Sequence, residues 1–223
     1  MIKCVDLSKS YSSTSIIIDK SNFEIRDNKI SFLMGPNGSG KTTFIKCMME
    51  MEKHNGKFIF DDKSINEIRD KCLVIWDDCP FYTNISGINN LIIWGEGKQT
   101  QKRIEQIANN YLDYGLLKRK VKTYSYGQKK KLALALVEIL EPRYLIMDEI
   151  SNGLDYEMIR SLKKTIKSWA SNMTIILTGH QFSFYNEMID DLFVFKDRKI
   201  LLLKKDFCDS GAKLEDIYDE EIH

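Results

Sequence analysis

The sequence predicts an α/β fold: a parallel-sheet core, a small antiparallel β subdomain and an inserted α-helical subdomain. Three observations predict it. Short apolar runs rich in β-branched residues, "ISFLM" (30–34), "CLVIW" (72–76), "YLIM" (144–147) and "TIILT" (174–178), alternate with longer segments of helical period, as in parallel strands joined by crossover helices. The first thirty residues and "GKFIFDDKSI" (56–65) read as short strands separated by turns, which supplies the antiparallel sheet. Residues 84–123, with "INNLIIW" and "QKRIEQIANNYLDYGLL", have helical period and form the inserted lobe, taken as about residues 84–135 of a single domain spanning 1–223.

Each later element has its own justification. "TFIKCMMEM" after the glycine-rich stretch at 35–40 has a helical pattern. Between Asp155 and Asn172, Ile159, Leu162, Ile166 and Trp169 recur at spacings of three and four, while Arg160, Lys163, Lys164 and Lys167 take other faces. One stripe of that helix packs on the sheet and the other meets water, so its lysines are a solvated face rather than a DNA-binding surface. "KLEDIYDEEIH" closes the sequence as a short acidic helical tail.

Composition narrows the function classes. With 43% hydrophobic and 29% charged residues the chain is that of an ordinary globular protein, and its formal net charge of +1 gives no global field to recruit nucleic acid or an anionic membrane. Five cysteines, none at CxxC spacing, read as reduced thiols rather than a disulfide or zinc framework. "MIKCVDLSKSYSS" lacks a signal-peptide pattern, and "LALALVEIL" (132–140) and "KILLLKK" (199–205) fall short of the ~20 apolar residues that cross a bilayer. The expectation is a cytoplasmic protein that reaches a membrane only through a partner. Its richness in Ile, Lys and Asn points to an A+T-rich bacterial genome.

"GPNGSGKTT" (35–43) matches GxxxxGK[ST] between a strand and a helix, the context of a phosphate loop. Gly35, Gly38 and Gly40 let backbone N–H groups converge on phosphate oxygens, and the helix adds its positive end. Lys41 is expected to bridge the β- and γ-phosphates, and the Thr42 hydroxyl to ligate Mg²⁺; Pro36, Asn37, Ser39 and Thr43 complete the nucleotide-binding run. "YLIMDE" (144–149) ends a buried strand in two carboxylates, Asp148 for the metal and Glu149 as general base. His180, in "LTGH" after another apolar strand, is placed to contact the γ-phosphate and the attacking water.

"TYSYGQKKKL" (123–132) poses a further question, because it joins a small hydroxyl, a glycine and a helix start, the makings of a second anion site, to a run of three lysines that the helix dipole would repel. Taken in order, Tyr11, "GPNGSGKT", "YSYGQ", "YLIMDE", "SNGLD" (151–155) and His180 resemble the nucleotide-binding subunit of the ATP-binding cassette (ABC) transporter family over essentially the whole chain. "YSYGQ" keeps Ser125, Gly127 and Gln128 of the LSGGQ-type signature.

The resemblance implies a P-loop NTPase (RecA-like) core that binds ATP and Mg²⁺ and hydrolyses ATP. It implies that Ser125, Gly127 and Gln128 act in trans on the nucleotide of a second ABC subunit, that Tyr11 stacks on adenine, that Asp155 lies in the loop crossing the dimer interface, and that Glu149, His180 and Lys41 are catalytic. Separate transmembrane permease subunits would dock on the helical lobe at the inner face of the plasma membrane, with no nucleic-acid partner. "KVKTYSYGQKKKLALAL" is similar to peptide, drug or polysaccharide export cassettes, and a C-terminal regulatory domain such as many importers carry has no room here. The chain departs from the family pattern at three places. The usual Gln between core and lobe is Asp77 or Asp78, with Asp77 taken as a third metal-site residue; Tyr126 replaces a glycine; Ile150 replaces a proline. The alternative, a soluble ABC ATPase of ribosomes or DNA, is disfavoured by a single cassette without heptads, and a GTPase by the absence of NKxD.

Overall fold

The computed structural model describes residues 1–12, 14–79 and 81–222, the side chain of residue 222 excepted. Its centre is a six-stranded sheet in the order β5-β6-β7-β3-β8-β9, formed by β3 (Ile30–Met34), β5 (Cys72–Ile75), β6 (Tyr144–Met147), β7 (Thr174–Thr178), β8 (Asp191–Lys196) and β9 (Lys199–Lys204). The first five in that order pair in parallel, and β9 closes the edge antiparallel to β8. Along the central strands alternate residues serve two cores: Phe32, Ile75, Leu145, Met147, Ile175, Leu177 and Val194 face one, Leu33, Ile146, Ile176 and Phe193 the other. Such double-sided burial explains why these strands read as unbroken apolar runs.

Against the second face lies the antiparallel sheet β2-β1-β4, made of β1 (Ile2–Ser12), β2 (Ser15–Ile25) and β4 (Asn55–Phe60), together with helix α1 (Lys41–Met48). The sequence reading of short strands here is corrected: β1 and β2 are each 11 residues long, and irregularities in their register bend them around the core.

On the first face, after the short α2 (Ile65–Ile68), α3 (Gly87–Trp94), α4 (Gln101–Tyr111), α5 (Tyr114–Leu117) and α6 (Tyr126–Leu140) form the helical lobe. Its helices start where the chain offers a cap: Ser86, Thr100, Asp113 and Ser125 each accept a first-turn backbone N–H. α6 ends at Glu141, in the left-handed region and just before Pro142, so the chain turns sharply into β6. α7 (Tyr156–Trp169) buries Leu162 and Ile166 with Ile159 and Trp169 beside them, as its periodicity requires. α8 (Phe182–Tyr185) and α9 (Leu214–Ile222) complete the described chain. No helix among the described residues is long and apolar enough to cross a membrane.

Candidate functional site

β3 ends at Met34 and α1 begins at Lys41, so residues 35–40 must turn the chain within a few ångströms of neighbouring strands. Gly40 has φ +111°, and a Cβ there would meet Ile17 at 2.6 Å; a Cβ on Gly35 would meet both Phe195 Cβ and Ser39 Oγ at 2.9 Å. Only glycine fits either position. Asn37 and Gly38 are exposed at the crest, with Gly38 at φ +77°, and Pro36 at its rim accepts the Ser39 N–H at 3.2 Å. Lys41 is buried, and its Nζ donates to the carbonyls of Gly35 (2.8 Å) and Pro36 (2.9 Å). Burial pushes its pKa down, against the pull of Glu149 and Asp148. Ser39 Oγ is buried without a hydrogen-bond partner among the described residues, as is Ser31 Oγ on β3.

The ends of β6 and β7 meet this loop. Asp148, buried, accepts from Thr42 Oγ1 at 2.9 Å, while the Thr178 hydroxyl donates to its other oxygen. Glu149 has φ +53°, uncommon for a side-chain-bearing residue; its N–H donates to the Thr178 carbonyl at 3.2 Å and Asn152 Nδ2 donates to its carboxylate at 2.6 Å. His180 places Nε2 3.5 Å from Lys41 Nζ and 3.7 Å from Glu149 Oε1. Burial first, and Lys41 second, hold its pKa below the usual value, so the imidazole is neutral at pH 7. Behind it, Tyr185 is fully buried: its hydroxyl donates to the Thr178 carbonyl at 2.9 Å, lies 3.1 Å from Ser151 Oγ, and leaves no room for a Cβ on Gly179.

Other residues singled out in the sequence stand apart from this cluster. Ser125 caps α6, accepting the Gln128 N–H at 3.3 Å while the Gln128 amide accepts the Ser125 N–H at 2.8 Å. Its oxygen is thus an acceptor within the cap, and the hydroxyl proton stays available to a ligand. Gly127 lies opposite Met158 and the Gly153 carbonyl, and Asp155 caps α7 through the Met158 N–H at 2.9 Å. Among the described residues no hydrogen bond joins 124–128 to 35–43. Thr43 is half-buried on α1. Tyr11, at the end of β1, is exposed; its hydroxyl donates to Glu52 at 2.8 Å, and Lys9 Nζ sits 4.3 Å from its ring centroid.

The carboxylate of Asp77 accepts from the Tyr126 hydroxyl and has Lys130 Nζ at 3.4 Å. It is engaged there, whereas Thr42 and Asp148 are bonded to each other. Lys130 therefore has an explanation the sequence did not offer: it is buried against Asp77 rather than displayed at the helix start. Thr178, Asn152, Tyr185 and Lys130 were all missed from sequence. Thr178 alone carried a local signal, as a polar residue closing the apolar run "TIILT".

A parallel sheet whose first phosphate-type loop and neighbouring strand end converge in this way defines a P-loop NTPase. A family sequence model described as ABC transporter matches residues 18–152. The chain is 32% identical over its whole length to the lantibiotic transport ATP-binding protein SrtF of Streptococcus pyogenes, covering 97% of that protein. It is 29% identical to the bacitracin transport ATP-binding protein BcrA of Bacillus licheniformis, over 90% of this chain and 68% of that one. A solved ATP-binding subunit of an ABC transporter superposes with a TM-score of 0.86 at 20% identity, covering 99% and 98% of the two chains, a likeness of fold. The chain belongs to the ABC transporter family, as an ATP-binding and ATP-hydrolysing component.

Proposed function

We propose that this chain binds Mg²⁺-ATP between two cassettes facing head to tail and that hydrolysis there drives an export transporter whose permease is a separate membrane subunit. The observation that carries the two-chain reading is the separation just described: Lys41, Asp148, Glu149 and His180 converge on one loop, while Ser125 and Gly127 have no bond to it and keep ligand-binding capacity to spare. A second copy, or another cassette, brings its own Ser125-like cap to this loop.

The residues fit the proposed ligands. The orphaned Ser39 Oγ lies in the loop that would hold a β-phosphate, beside the start of α1, and Lys41 would exchange its carbonyl partners for phosphate oxygens. Thr42 and Asp148 offer a hydroxyl and a carboxylate, hard oxygen donors suited to Mg²⁺, which when bound would neutralise charge on the β- and γ-phosphates. Asp77, held by Tyr126 and Lys130, is left out of that set.

In turnover Glu149 takes the proton of the attacking water, its carboxylate oriented by Asn152 and its backbone by Thr178. Neutral His180 would donate its one ring N–H to the γ-phosphate without adding a second positive charge beside Lys41. The exposed Tyr11 ring, backed by Lys9 and pinned by Glu52, offers its free face to adenine. Tyr82, Ile93 and Trp94 are large, exposed and apolar at the helical lobe, the surface a permease would bury at the inner face of the membrane. The export direction and a peptide, drug, lipid or polysaccharide cargo rest on likeness to the lantibiotic and bacitracin transport proteins.

Glu149→Gln tests this reading. It keeps the hydrogen bond from Asn152 and removes the base, so with Mg²⁺-ATP it accumulates as an ATP-bound dimer and co-purifies with a polytopic membrane protein from detergent extracts. A variant that stays monomeric, or is recovered only with ribosomes, contradicts it.

A further inference from the structure

Asp77, Tyr126 and Lys130 form a cluster that the steps above do not use. Tyr126 and Lys130 lie one turn apart on the same face of α6. The Tyr126 hydroxyl donates to the Asp77 carboxylate and lies 3.1 Å from the Asp77 carbonyl. Lys130, fully buried, approaches that carboxylate at 3.4 Å and the Tyr126 ring centroid at 5.1 Å. The ring also covers Gly153, where φ is +66° and a Cβ would come within 2.5 Å of Tyr126 Cδ1. One aromatic residue thus joins the segment after β5, the start of α6 and the 151–155 loop.

The cluster sits at the edge where the chemistry is placed. Asp77 follows by two residues Ile75, whose carbonyl accepts the Asp148 N–H at 2.9 Å, and Glu149 is near enough to add to the upward push that burial and Asp77 give the Tyr126 phenol. A bare carboxylate at this edge would repel a polyphosphate. Here its charge is balanced by Lys130 and its oxygen is occupied by Tyr126. A buried lysine needs its counter-charge, so Lys130 holds Asp77 as firmly as Asp77 holds Lys130.

We propose that Asp77, Tyr126 and Lys130 are positioning residues that tie the start of α6, and with it Ser125 and Gly127, to the Asp148–Glu149 edge, so that movement at one is passed to the other. The role of Ser125 and Gly127 in this statement rests on the two-chain reading above. The tie itself does not.

Tyr126→Phe is the decisive variant, because the ring stays over Gly153 and Lys130 and only the hydroxyl is lost. Backbone amides 126–130 should exchange with solvent faster in the nucleotide-free chain, and kcat should fall about 10- to 100-fold, the scale of one lost hydrogen bond to a charged group, with unchanged ATP affinity of the single chain. Adding Asp77→Asn/Lys130→Met, which removes both charges together, should make neither readout worse. Wild-type exchange and kcat in Tyr126→Phe, or additive effects in the combined variant, would overturn the tie. If Glu149→Gln does not dimerise while Tyr126→Phe still loosens α6 non-additively, the two-chain reading falls and the tie stands. If Glu149→Gln dimerises and Tyr126→Phe changes nothing, the tie falls alone.

Discussion

Thr42 Oγ1 donates to Asp148 Oδ2 at 2.9 Å, closing the phosphate loop onto a strand end 106 residues further along the chain. The other Asp148 oxygen is held by Thr178 on the next strand, so one buried carboxylate fastens three segments before any ligand arrives. Such a carboxylate is pre-oriented for a cation.

Thr178→Val tests that fastening with an isosteric change. It leaves a buried carboxylate oxygen short of a donor, at a cost of about 1–3 kcal/mol. Denaturant unfolding should show that loss, together with a weaker Mg²⁺ dependence of ATP binding.

His180 gives a pH dependence whose sign is fixed. Burial and Lys41 lower its pKa, so the folded chain disfavours the protonated form. The stability associated with this group is whole above the ordinary histidine value of about 6.5 and is lost as pH falls through the lowered one. Because Lys41 is one of the causes, Lys41→Met should move the His180 titration back upward. Proton NMR of the imidazole in the two chains measures it.

Tyr11→Ala should raise the KM for ATP by about 5- to 100-fold, the worth of one stacked base, and leave kcat nearly unchanged. Tyr11→Trp should retain binding. Steady-state kinetics separate the two parameters.

Tyr185→Phe removes the hydroxyl that supports the Thr178 carbonyl and meets Ser151. With the phenol fully buried, the loss is about 1–3 kcal/mol, or several degrees in Tm by calorimetry. Turnover should fall as well, since the lost hydroxyl holds the Thr178 carbonyl that also accepts the Glu149 N–H.

Four parallel strands were legible as apolar runs: β3, β6 and β7 are buried on both faces, and β5, at the edge, buries alternate residues. β8 was not, since "DLFVFK" opens on Asp191, and its burial is explained only by Arg26, which binds it at 2.6 and 2.8 Å from 165 residues away. β9 was hidden by its lysine flanks and half-exposed pattern, which left "KILLLKK" as only an apolar stretch. Within the site, Lys41, Thr42, Asp148, Glu149 and His180 stood out through motifs of fixed local spacing. Tyr185 and Lys130 did not, because Ser151 and Asp77, which they meet, lie 34 and 53 residues away in the chain, while Asn152, inside "SNGLD", reaches Glu149 only through the left-handed turn at that residue. Lys130 is the clearest case: within "QKKKL" it is indistinguishable from its neighbours, and only the fold buries it.

In the head-to-tail pair one chain's phosphate loop works with the other chain's α6 start. Two inactive variants, Lys41→Ala and Ser125→Ala, test it by mixing. In a head-to-tail pair of one of each, one site has both defects and the other has an intact loop and an intact Ser125. ATP turnover should return on mixing, toward about a quarter of wild type for random pairing in twofold dimers. Turnover no greater than that of the two variants measured separately would contradict it.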